Sequence, residues 1–189
     1  MNLREIKKER TRESIEVAAV SLAIDDGPEA ATVQRICGMA DISERTFFNY
    51  FASKDDAILG GADLHFTADG IVAFLSGTGP DIVLDLAHLF AAGMDAHGAH
   101  PGLSDQRRTL LLSSRRLMAL RYESLLDQWE HWEALVAQRS GLGRDEASAV
   151  VVGALSAVHL AMITAHRSGT DVAASVARSL ESLRSTRPE

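Results

Sequence analysis

The sequence predicts an all-α protein of about nine helices. Three observations carry this. Only 4 prolines occur in 189 residues. Apolar positions recur with a helical period over long stretches, and β-branched runs are rare. Clusters of Gly, Pro, Ser and Asp fall between those stretches, where helices need to stop.

The elements follow in order. A first helix spans about Arg4 to Asp25, with Ile15, Ala18, Ala19, Leu22 and Ala23 on one face. Asp25-Asp26-Gly27-Pro28 ends it. Thr32 is an N-cap for a short helix, Val33 to Met39, and Ala40-Asp41-Ile42 forms a tight turn. Ser43 caps a second short helix, Glu44 to Tyr50, with Glu44 at its positive end. Ser53 caps a long helix from Lys54 that Gly70 kinks or stops. Further helices are expected over about Asp81 to His97, Ser104 to Arg139 with an interruption near Ser113-Ser114, Asp145 to His166, and Asp171 to Leu183.

Composition bounds the function. Hydrophobic residues are 46% and charged residues 24%, an ordinary globular balance. With 26 acidic and 19 basic side chains the net charge is −7. That sum does not forbid a local cationic edge: residues 1–12 hold Arg4, Lys7, Lys8, Arg10 and Arg12 against Glu5 and Glu9. One cysteine, Cys37, excludes an internal disulfide framework and a Cys-rich zinc site, and fits a cytoplasmic setting. The charged N-terminus carries no secretory signal.

The informative stretch is Thr32 to Lys54. Two short helices joined by a three-residue turn form a helix-turn-helix unit. Val33, Ile36, Cys37 and Ala40 of the first helix support the second through Ile42, Phe47 and Phe51. The second helix then shows Ser43, Glu44, Arg45, Thr46 and Asn49 to a major groove. Arg45 and Asn49 suit guanine and adenine edges, and Thr46 a thymine methyl. Thr32, Tyr50 and Lys54 lie where backbone phosphates would pass, and the helix start at Lys54 adds backbone donors.

These residues resemble the TetR family of transcriptional regulators. The basic N-terminal arm, Ala18-Ala19, Leu22, Gly27, Ala31-Thr32-Val33, Ile36, Ala40, Ile42-Ser43, Thr46-Phe47-Phe48, Tyr50-Phe51 and Ser53-Lys54 fall in the family's order and spacing over roughly residues 8–58. The resemblance implies a homodimer with two recognition helices and a ligand pocket within the C-terminal helices. Three positions depart from the pattern. Asp41 stands where glycine is usual, and aspartate tolerates left-handed backbone. Phe48 stands where tyrosine is usual and lacks the hydroxyl. Glu44 brings a carboxylate to the helix start.

Met118, Tyr122, Leu125, Trp129, Trp132 and Val136 step by helical intervals, as one stripe on one helix. Tyr and Trp carry polar tips, so a pocket for a hydrophobic or aromatic ligand is expected there, with Phe90, Met94 and Met162 as further walls. The run Ala147–Ala165 is free of charge, but its alanines, two serines and His159 argue for a buried helix rather than a membrane span. Ala149, Gly153, Ser156, Ala157 and His159, with Val172, Val176 and Leu180 of the last helix, are expected to form a dimer interface.

Asp85 and His88 lack the second motif a di-iron bundle needs, so no metal site is read. His97 and His100 flank a loop and are read as solvated. No phosphate loop or nucleophile elbow is found, so no enzyme and no cofactor is implied. The expected organisation is a helix-turn-helix DNA-binding domain at 1–53, with its basic arm, and a helical effector-binding and dimerisation domain at 54–189. The function read is a ligand-responsive regulator, a repressor that binds a palindromic operator as a homodimer and is released by a small hydrophobic or aromatic effector. The alternatives are a small helical metal-dependent enzyme and a ligand-binding module without DNA function.

Overall fold

A computed structural model describes residues 3–61, 66–95 and 102–185. Among these residues every regular element is a helix: α1 (Leu3–Asp26), α2 (Val33–Ala40), α3 (Glu44–Phe48), α4 (Lys54–Leu59), α5 (Ala68–Ser76), α6 (Ile82–Asp95), α7 (Leu103–Ser113), α8 (Arg115–Asp127), α9 (Trp129–Ser140), α10 (Arg144–Ser168) and α11 (Val172–Ser185). The all-α expectation holds, with eleven helices where about nine were read. The expected helix end at His97, and His100, lie outside the described residues.

The helices form two compact units, one of residues up to 61 with 102–123, the other of 66–95 with 124–185. This division departs from a boundary after residue 53. Helix α4 belongs with α1 because Ala57, Ile58 and Leu59 are all buried there, and α7 packs on α1 as well.

In the first unit Ile15, Val20, Ile36, Phe47, Phe51 and Ile58 make the core. The basic residues Arg4, Lys7, Lys8 and Arg10 are exposed on the opening turns of α1, so they are helical and not an extended arm. Helix propensity explains this, since Arg, Lys and Glu lose little rotamer freedom in a helix. Helix α4 is six residues long. It stops at Gly60-Gly61, both at positive φ (81° and 116°), well before Gly70.

The stop is reinforced by three guanidinium groups. Arg107 Nε donates to the Ile58 carbonyl at 2.9 Å, Arg121 Nη2 to Leu59 at 2.7 Å, and Arg12 Nη2 to Gly60 at 2.8 Å. They satisfy carbonyls that the helix end leaves open and meet its partial negative charge. Buried Glu16 bridges two of them, accepting from Arg107 Nη2 at 2.6 Å and Arg12 Nε at 3.0 Å. Gly60 is required here: a Cβ would lie 2.8 Å from the Arg107 guanidinium carbon.

In the second unit α10 is the central helix, packed against α6, α9 and α11. By length and composition it could cross a membrane, but Ala147, Val151, Ala154, Ala157, Val158, Ala161 and Ala165 are buried within this unit. Glu133 ties α9 to α10. Its carboxylate accepts from Ser148 Oγ, from Arg144 Nε at 3.1 Å and from Trp129 Nε1 at 2.9 Å. Hydrogen bonds from Ser148, Arg144 and Trp129, the first the strongest, hold its carboxyl below the usual range despite its burial. Arg184 closes α11 onto the start of α6 through Asp81, at 2.6 and 2.9 Å.

Candidate nucleic-acid interface

The turn between α2 and α3 forms as the sequence predicts. Thr32 Oγ1 accepts from the Arg35 amide at 3.3 Å and opens α2. Asp41 sits at φ 52°, ψ 50° and is the only described non-glycine residue with positive φ. The Ile42 amide closes the turn on the Cys37 carbonyl at 3.0 Å. Ser43 Oγ then accepts from the Thr46 amide at 3.1 Å and opens α3. Cys37 is buried against this joint. Burial first, and the Glu44 carboxylate second, push its thiol up, which makes it a small core residue rather than a nucleophile.

Helix α3 buries one side and shows the other. Phe47 is fully buried, packed tilted on Phe51 with centroids 6.1 Å apart, and the Arg12 guanidinium covers the Phe51 ring at 4.7 Å. Ser43, Glu44, Arg45 and Asn49, four of the five residues expected to face the groove, are exposed. Thr46 is half-buried, with its hydroxyl on Ser43 Oγ at 2.9 Å. The helix is shorter than read: Asn49 is its C-cap, and Tyr50 lies half-buried in the following turn. Phe48, read from the sequence only as a tyrosine position that lacks its hydroxyl, is 56% exposed. The usable signal was its position one turn after Glu44 and Arg45.

Lys54 corrects an expectation. Its ammonium does not stand free for a phosphate. It donates to the carbonyls of Pro28 at 2.7 Å and Glu29 at 3.1 Å, and its Nζ lies 3.6 Å from the Glu29 carboxylate. Arg116 joins the same cluster, with Nε 3.0 Å from Glu29 and Nη2 2.8 Å from Asp55. Lys54 therefore positions the α1–α2 loop. Thr32 stays exposed at the mouth of α2.

The aromatic stripe also divides. Gln128 leaves helical geometry between α8 and α9 (φ −100°, ψ 7°), so the six residues do not lie on one helix. Met118 and the exposed Tyr122 belong to the first unit, Trp129 and Trp132 to the second. Within the second unit Trp132 meets Phe90 edge-on at 5.1 Å and Phe66 at 4.7 Å. Phe66 rests where a Gly93 side chain would be, since a Cβ there would come within 2.6 Å of its ring. The buried indole N–H of Trp132 has no hydrogen-bond partner among the described residues. Met162 is buried, Met94 and Trp129 are half-buried, and Trp129 is spent on Glu133.

The expected interface set needs correction too. Ala157, Val172, Val176 and Leu180 are buried inside the subunit, where α11 packs on α10 and α6. Gly153 is half-buried against Val83. Of the set, Ala149 and Ser156 are exposed and His159 is half-exposed; Val152, not foreseen, is 51% exposed between them. The acid at position 85, read beside His88, pairs with Arg139, which also covers the Phe74 ring at 4.7 Å.

Residues 15–58 match the family described as bacterial regulatory proteins, tetR family. Over 57 residues the chain is 39% identical to the HTH-type transcriptional regulator TcmR of Streptomyces glaucescens. That stretch is 30% of this chain and 25% of TcmR, so the match spans about a quarter of that relative's length. Among solved structures, the fatty acid degradation regulator FadR from Bacillus halodurans is similar in fold, with a TM-score of 0.50, 17% identity, and coverage of 93% of this chain and 95% of that one.

Proposed function

We propose that this chain, whose residues 15–58 match the tetR family of bacterial regulatory proteins, is a TetR-family ligand-responsive repressor acting on DNA as a homodimer. The carrying observation is α3. It is a short helix capped by Ser43, seated on buried Phe47, with Glu44, Arg45 and Asn49 on its open face. Such a helix presents base-reading groups at a fixed angle, as major-groove recognition needs. Arg45 and Asn49 read base edges, while Ser43, Thr46 and Glu44 adjust to them. Thr32 and Tyr50 flank the groove, where phosphates pass.

Two copies would pair through the exposed Ala149, Val152 and Ser156 and the half-exposed His159 of α10. Small side chains there support close helix approach, and apolar Val152 gains by being covered. The operator is then an imperfect palindrome with half-sites about one helical turn or slightly more apart.

The effector is small and hydrophobic or aromatic, and it carries an acceptor. The Phe66, Phe90 and Trp132 rings and the Trp132 N–H, which has no partner among the described residues, support this, because a buried donor without a partner costs free energy that a ligand acceptor would recover. Release from DNA then requires tighter effector binding to the conformation with lower DNA affinity.

The test is selection of duplexes by the full-length protein from a library randomised over about 25 base pairs. Enrichment of a palindrome supports the proposal. Recovery of a random pool contradicts it.

A further inference from the structure

We infer that Phe48 is a specificity-determining residue that reads a thymine 5-methyl group in each half-site. The inference rests on the reading of α3 as a groove-facing helix. Phe48 is 56% exposed, although its neighbour Phe47 is fully buried. It follows Glu44 by four positions and Arg45 by three, so the three side chains share one face. Its ring stands perpendicular to Phe47, with centroids 5.3 Å apart and an interplanar angle of 89°. That contact fixes an apolar edge among polar base readers.

The chemistry selects the target. Phe48 can neither donate nor accept a hydrogen bond, and base edges in the major groove offer one apolar feature, the thymine methyl. The alternative polar targets are taken by its neighbours: guanine or adenine suits Arg45 and Asn49, and the cytosine amine suits Glu44. Burying one methyl-sized group against the ring is worth about fourfold in affinity, the equivalent of about 0.8 kcal/mol.

The experiment uses the full-length protein and its selected duplex. Each thymine is replaced in turn by uracil, which removes only the methyl group. Affinities of the wild type, Phe48→Ala and Phe48→Leu are measured by fluorescence anisotropy. The wild type is expected to lose about fourfold at one symmetric pair of thymines. Phe48→Ala should bind thymine and uracil duplexes alike, and Phe48→Leu should keep a smaller difference. Equal wild-type binding to every uracil duplex overturns the inference alone, as does a difference that persists in Phe48→Ala. Failure to select any duplex removes the DNA reading and the inference together. Phe48 is exposed, so an unchanged circular dichroism spectrum separates lost contact from lost fold.

Discussion

Arg107 donates to Glu16 at 2.6 Å across 91 positions of sequence, and both side chains are almost fully buried. This ion pair joins α7 to α1 and lies directly under the end of α4, whose carbonyls it helps to satisfy. Removing one partner leaves a buried charge uncompensated. Glu16→Ala should cost about 3–5 kcal/mol in denaturant unfolding, a loss that surface pairs do not approach. Gly60→Ala should cost more than about 1 kcal/mol, because its φ is positive and the added carbon meets Arg107.

Asp41 offers a finer probe of the turn. Asp41→Asn should be near neutral, since asparagine tolerates the left-handed region. Asp41→Val should lose about 1–2 kcal/mol, because a branched side chain does not. Chemical unfolding followed by helical signal distinguishes the two.

Lys54 separates positioning from contact. Its ammonium is committed to Pro28 and Glu29. Lys54→Ala should therefore lower thermal stability and leave the salt dependence of DNA affinity unchanged. A lost phosphate contact would instead flatten that slope by about one unit. Affinity measured across a salt series decides.

Acid should loosen the second unit. Glu133 and Asp81 are held below their ordinary values of 4.5 and 3.8, Glu133 chiefly by the Ser148 hydroxyl and Asp81 chiefly by Arg184. A carboxyl with a depressed folded value contributes stability above its ordinary value and loses it as pH falls through the folded one. The melting temperature should fall as pH drops below about 4.5, and Glu133→Gln should flatten that fall. Calorimetry between neutral pH and pH 3 is the check.

Local chemistry made the first unit legible. Thr32, Ser43 and Ser53 cap the helices they were expected to cap, because a cap needs only an oxygen and an amide three residues on. The stop after α4 was missed because Ala57-Ile58-Leu59 continues an apolar pattern. The groups that secure Gly60 come from Arg12, Arg107 and Arg121, far away in sequence. The break at Gln128 has no glycine or proline to announce it. For α10 the pattern is apolar nearly all round, so periodicity cannot assign its faces. Packing against α6 and α11 does so, covering Ala157 and leaving Val152 open. Phe48 was read only as lacking the family's tyrosine hydroxyl, because a sequence does not distinguish a buried phenylalanine such as Phe47 from an exposed one beside it.

The most direct measurement is the affinity ratio between the selected duplex and a scrambled duplex, for the wild type and for Arg45→Ala combined with Asn49→Ala. The ratio should collapse towards one in the variant, while binding to the scrambled duplex changes little. A ratio that survives the double substitution would show that α3 does not read the sequence, and the account would be contradicted.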